Sequence, residues 1–150
     1  MNALPIYLVE IAKKYNIKLT RSEYCGYNEG ASAGDEIMLG DFDDKDKEIV
    51  AFFHELAHCT FRKDIEKIHN IKAPKFLSFL SNEGLCWEYG LYLAKINGYE
   101  WELNSEIYKY AHEQYLTYIC NEYDRSLYRN EYNKSAEEII YKLKLSIDEK

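Results

Sequence analysis

The chain is predicted to fold as an α+β protein, mostly helical, with a small β-sheet built early. Two observations predict this. Short runs alternating apolar and polar residues are confined to residues 17–42, on either side of a glycine-rich loop. Before and after them, apolar residues recur at helical spacing. No repeat, low-complexity tract or linker interrupts the 150 residues, so residues 1–150 are read as a single domain, long enough to bury its own core.

Each element follows in order. Leu4, Leu8, Ile11, Ala12 and Tyr15 fall on one helical face, and Pro5 is tolerated there because it lies in the first turn. "IKLTRSEYC" alternates and reads as a strand. "GYNEGASAGD", with three glycines among small polar residues, reads as a loop. "EIMLGDF" is a second short strand ending at Gly40. "DDKDKEIVAFFHELAHCTF" reads as a helix whose acidic first turn suits the positive end of the dipole. Val50, Ala51, His54, Ala57, His58 and Phe61 share one of its faces. After a polar connection, a second helix runs from Ser81 or Asn82 to the Asn97-Gly98 stop. A long helix is expected from Trp101 to about Arg129, and a last one after the capping box of Ser135 and Glu138.

Bulk properties narrow the function. A net charge of −7 argues against a nucleic-acid backbone as the main partner, because phosphate neutralisation needs clustered Lys and Arg. No segment reaches the roughly 18 apolar residues of a membrane span, and the N-terminus lacks the basic start of a signal peptide. Cys25, Cys59, Cys86 and Cys120 are widely spaced with no CxxC pair, which reads as reduced thiols in a cytoplasmic protein. Low Arg with abundant Lys, Ile, Asn and Tyr suits a bacterial or phage genome rich in A·T.

The chemistry is concentrated in "FFHELAHCTF", residues 52–61. Residues four apart on a helix are displaced by only about 40°, so His54 and His58 present their rings to one ion. Glu55 lies about 100° from His54, beside such an ion, placed to take a proton from water and return it to a leaving amine. This is the physical content of the HExxH pattern. Histidines on a buried face are costly if unsatisfied, and Zn2+ satisfies them; core histidines bonded to Tyr or backbone are the alternative.

A catalytic zinc takes three protein ligands and leaves one position open. Downstream candidates are His69, Glu83, Cys86, Glu88 and His112. In "LSNEGLCWEYGLYLA", residues 80–94, the run "NEGLC" resembles the gluzincin metallopeptidases, in which HExxH is followed some twenty or more residues later by a glutamate on a second helix. The resemblance covers His54, Glu55, His58 and Glu83, about residues 35–95. It implies a zincin-like fold: a small early sheet, the HExxH helix, a second ligand-bearing helix carrying Glu83, then C-terminal helices. Cys86, Trp87, Gly90 and Ala94 fall within about 60° of Glu83, and the small Gly90 and Ala94 let the two helices approach. Cys86 shares that face and is the rival ligand. The chain departs from the thermolysin-like pattern at Trp87, where an acidic residue would steady a ligand histidine. That carboxylate must come from Glu88 or the acidic stretch Asp41 to Asp46. The oxyanion-stabilising group is expected among Tyr108 to Tyr118 and His112.

The expected function is a zinc metallopeptidase in which Glu55 is the general base, His54, His58 and Glu83 hold the metal, and a peptide or protein substrate lies antiparallel to the "EIMLG" strand. The alternative is a zinc-binding interaction protein on the same scaffold, of the kind found among phage, plasmid anti-restriction and stress-response proteins.

Overall fold

The computed structural model of the chain describes residues 3–64, 79–102, 105–111 and 113; for residues 61–64, 79–85 and 88 it describes the backbone alone. It is an α+β fold with a three-stranded sheet. Helix α1 (Ile6–Lys14) is preceded by Pro5 in extended conformation. The Pro5 carbonyl accepts the N–H groups of Leu8 and Val9. Leu8 and Ala12, one turn apart, are its buried residues. Asn16 ends the helix with φ of 59°; its N–H bonds the Lys13 carbonyl, and that of Ile17 reaches back to Ala12. This is a Schellman stop with asparagine in the left-handed position.

Strands β1 (Lys18–Arg21), β2 (Gly30–Ala33) and β3 (Glu36–Leu39) follow. Their order is β1-β3-β2, with β1 parallel and β2 antiparallel to β3. Two expectations are thereby corrected. The stretch "GYNEGASAGD" is not all loop, because Gly30–Ala33 forms a strand. Nor is the "EIMLG" strand a free edge for a substrate: Ile37 is paired with Leu19 on one side and Ser32 on the other. Gly34, at φ of 59°, makes the two-residue turn that folds β2 onto β3; a side chain would be strained there. Ile37 and Leu39 alternate inward and are fully buried.

Helix α2 (Lys45–Asp64) begins at Asp44, whose Oδ1 accepts the N–H groups of Asp46 and Lys47, an N-cap that satisfies otherwise orphaned donors. Ile49, Phe52, Phe53 and Leu56 bury one side of α2 in a core with Leu8, Ile37, Leu39, Tyr89 and Leu93. Arg21 ties β1 to the start of α2: its Nη1 donates to Glu48 Oε2 at 2.6 Å and to the Gly40 carbonyl, and its Nη2 donates to the Ala3 carbonyl.

Helix α3 (Phe79–Ile96) ends at Asn97-Gly98, as the sequence predicts. Gly98 has φ of 92°, and the N–H groups of Gly98 and Tyr99 bond the carbonyls of Lys95 and Ala94. The helix expected from Trp101 begins later. Residues 101–102 are not helical, and helix α4, described over residues 106–111 and at 113, starts at Ser105, whose hydroxyl caps the Tyr108 N–H. The rest of that expected helix and the one after Ser135 lie outside the described residues. Val50, Trp87, Ile107 and Ala111 form a second small core between α2, α3 and α4. Among the described residues no helix is long and apolar enough to cross a membrane.

Candidate metal centre

His54, Glu55 and His58 lie on the middle of α2 with their candidate ligand atoms all within 4.8 Å of one another. The helix is held from three sides. Its apolar face sinks into the core through Phe52, Phe53 and Leu56. Strand β2 crosses beside Glu55, so that a Cβ built on Gly30 would stand 3.4 Å from Glu55 Cγ. Helix α3 presses on the backbone at Phe53 and His54, where a Cβ on Gly90 would come within 2.9 Å of the Phe53 carbonyl oxygen and 3.0 Å of the His54 nitrogen. The small residue expected to let the helices approach is therefore in contact with the backbone of the first histidine.

The site is deeply set. His54 and Glu55 are 6% and 7% exposed, and His58 is half-buried. The two imidazoles are 4.7 Å apart, centre to centre, and nearly perpendicular. Glu55 Oε1 is 3.9 Å from His54 Nε2. Glu55 Oε2 is buried with no hydrogen-bond partner among the described residues. Two ligands on one tetrahedral zinc, each about 2.05 Å away, stand about 3.3 Å apart. At the longer spacing to His54 the carboxylate would stand beside an ion that the histidines could share. A buried carboxylate oxygen without a donor is expensive, and a cation or a water held by it supplies the missing partner. The donor set and the orphaned oxygen thus fit a metal ion.

Helix α3 supplies the histidines' neighbours. The Trp87 indole stacks on the His54 ring at 4.1 Å between centroids and 20° between planes. The Cys86 sulfur lies 3.4 Å from His58 Nδ1. Cys86, Trp87, Gly90 and Ala94 are all buried, so the face drawn through them from the helical period is the face that meets α2. Glu83 is on α3, but its side chain, like that of Glu88, lies outside the described residues, as do His69 and His112. Within the acidic stretch, Asp44 caps α2 and Asp43 pairs with Lys47.

Three neighbours were not picked out as part of the site by sequence reasoning. Trp87 falls in the sequence on the face of Glu83 and Cys86 but is given no role at the site there. Gly30 was hidden in a presumed loop, although Gly34-Asp35 is a recognised two-residue hairpin turn. Cys25, in the segment before β2, is the third. Burial pushes its thiol pKa up, and the charges of Glu55 and Glu29 push it further, which places it in the field of the Glu55 carboxylate. Cys25, Cys59 and Cys86 are in no disulfide; Cys120 lies outside the described residues. Of the tyrosines considered for the oxyanion, Tyr110 is one ring removed from the histidines, its ring edge-on to Trp87 at 6.1 Å. Burial raises the Tyr110 pKa, Lys47 lowers it and Asp43 raises it.

Comparison with protein-family models, with curated proteins and with solved structures found no match to this chain.

Proposed function

We propose that the chain is a zinc-dependent metallopeptidase in which His54, His58 and Glu83 hold the metal and Glu55 is the general base. The observation that carries this reading is the convergence of His54, Glu55 and His58 on one buried point, with Glu55 Oε2 lacking a hydrogen-bond partner among the described residues. Glu83 is included from the gluzincin resemblance and from its place on α3, the helix that meets α2 at His54.

Zinc in such a site lowers the pKa of a bound water and polarises a carbonyl. The chain's own residues do the rest. Glu55 accepts the water's proton on a carboxylate oxygen and returns it to the departing amine nitrogen. The apolar bed beneath α2 excludes bulk water and strengthens these interactions. Among the described residues β1 and β2 are the edges of the sheet, and the edge that serves an extended peptide in this reading is β2. Its Gly30 lies against Glu55, and main-chain pairing along β2 would bring a peptide past the carboxylate.

The test is Glu55→Gln, read by bound zinc and by cleavage of an unstructured peptide library. The variant is expected to keep its zinc and to lose about 10²–10⁴-fold in activity. Full activity in the variant overturns the assignment of the base.

One observation favours a second reading, a zinc-holding interaction protein without turnover. His54 and Glu55 are almost wholly buried, as in closed structural metal sites, whereas catalytic sites keep a position open. A hydroxamate that binds the zinc-loaded protein decides for the enzyme; exclusion of the hydroxamate decides for the closed site.

A further inference from the structure

We infer that Cys86 is a positioning residue for His58: its sulfur accepts a hydrogen bond from Nδ1–H and so leaves the lone pair on Nε2 for the metal. The inference deepens the metal-site reading above and rests on it for its functional meaning. It also decides between two roles for Cys86, ligand or support.

Four observations carry it. The sulfur is 3.4 Å from His58 Nδ1, within range for a hydrogen bond to sulfur. Cys86 is 1% exposed, so water does not compete for that contact. The atoms that gather within 4.8 Å of one another belong to His54, Glu55 and His58; Cys86, whose side chain is described, is not among them. The next residue, Trp87, performs the matching task on the other imidazole by stacking on His54 at 4.1 Å. Adjacent residues of α3 thus hold both rings, and Gly90, one turn further on, fixes how closely α3 approaches.

The tautomer follows from the inferred direction of the bond, in which the thiol, able to donate or to accept, is the acceptor. Neutral imidazole has one N–H and one lone pair, and a partner on one nitrogen fixes which is which. With sulfur as acceptor at Nδ1, the proton resides there and Nε2 keeps the lone pair that a metal takes. Metal-binding histidines ordinarily give their second N–H to a carboxylate, a carbonyl or a water. A thiol is a weak acceptor, so it orients His58 while adding less to its basicity than a carboxylate does. The position where the resemblance expects an acidic residue is occupied by Trp87, and Cys86 beside it takes over the orienting role for the second histidine.

The experiment uses the full chain as wild type, Cys86→Ala and Cys86→Ser, with folding checked by circular dichroism. Nitrogen-15 spectra of the metal-free proteins report the His58 tautomer, expected with the proton on Nδ1 in the wild type and in Cys86→Ser, and mixed in Cys86→Ala. Zinc affinity, measured by competition with a chelator, is expected to fall about 10–100-fold in Cys86→Ala and to be largely restored in Cys86→Ser. The Co2+-loaded wild type is expected to lack a sulfur-to-cobalt charge-transfer band. Such a band, lost in both variants, would make Cys86 a ligand and overturn the inference. Wild-type tautomer and affinity in Cys86→Ala would overturn it as well, leaving the metal site intact. Failure of zinc to bind any variant, with the tautomer still shifting in Cys86→Ala, would instead strike the metal reading and leave the hold on His58 standing.

Discussion

Replacing Gly90 with alanine sets two effects of known size against each other at the point where α3 meets the metal helix. In an exposed helix, Gly→Ala stabilises by about 1 kcal/mol. At Gly90 the new Cβ would stand 2.9 Å from the Phe53 carbonyl oxygen and 3.0 Å from both the Phe53 carbonyl carbon and the His54 nitrogen. Ordinary van der Waals contact begins at 3.4 Å, so α3 must retreat by about 0.5 Å. The obstacles are backbone atoms of a helix buried by Phe52, Phe53 and Leu56, and none of them can rotate aside. Overpacking of this kind costs about 1–3 kcal/mol, which offsets the propensity gain and leaves a net loss of up to about 2 kcal/mol. The same retreat carries Trp87 away from His54 and Cys86 away from His58, so zinc affinity should fall along with stability. Urea denaturation of metal-free wild type and Gly90→Ala measures the first effect; chelator competition measures the second. Gly98→Ala is the control. It strains a residue with φ of 92°, so it should cost stability while leaving zinc affinity unchanged. A Gly90→Ala protein more stable than wild type, with unaltered zinc affinity, would refute the close approach.

Three further outcomes are expected. Glu48→Ala leaves Arg21 without its 2.6 Å partner at a site where both side chains are at least nine-tenths buried; a loss of about 3 kcal/mol is expected, reduced by the Ala3 and Gly40 carbonyls that still accept from Arg21. Denaturation midpoints read it, and an unchanged midpoint would mean that the pair contributes nothing. The Trp87 indole, stacked on His54, should report the metal: Co2+ added to metal-free Trp101→Phe quenches the remaining emission, whereas Trp87→Phe shows little response. Cys25 carries a thiol pKa raised by burial and then by Glu55. Removing that negative charge in Glu55→Gln stabilises the thiolate, lowers the pKa and enlarges the reactive fraction at mildly alkaline pH. Iodoacetamide should therefore modify Cys25 faster in the metal-free variant than in metal-free wild type, as followed by peptide mass spectrometry. Equal rates would place Cys25 outside the field of Glu55.

Much of the architecture is legible locally. The apolar period of α2 and α3, the Asn97-Gly98 stop and the alternation of Ile37 and Leu39 follow from rules that act over a few residues. So does the placement of His54 and His58 on one face of α2. Strand β2 was not legible by composition. Gly30-Ala31-Ser32-Ala33 has no β-branched or aromatic side chain, and it is a strand because its backbone pairs with β3 and packs small residues against α2. Propensity yields to tertiary pairing there. The start of α4 at Ser105 rather than Trp101 is a local capping effect that a search for apolar period overlooks.

The sequence by itself determined that two histidines and a glutamate share one turn-and-a-bit of helix, that the helix is buried, and that small residues face it from a second helix. Those properties are set by bond geometry and the 3.6-residue period. Only the tertiary structure decided what surrounds them. It placed the indole of Trp87 on His54, the sulfur of Cys86 at His58 Nδ1, Gly30 of β2 over Glu55, and β3 in the middle of the sheet instead of at its edge. These are contacts between elements many residues apart, fixed by how α2, α3 and the sheet close on a common core, and no short-range rule encodes them.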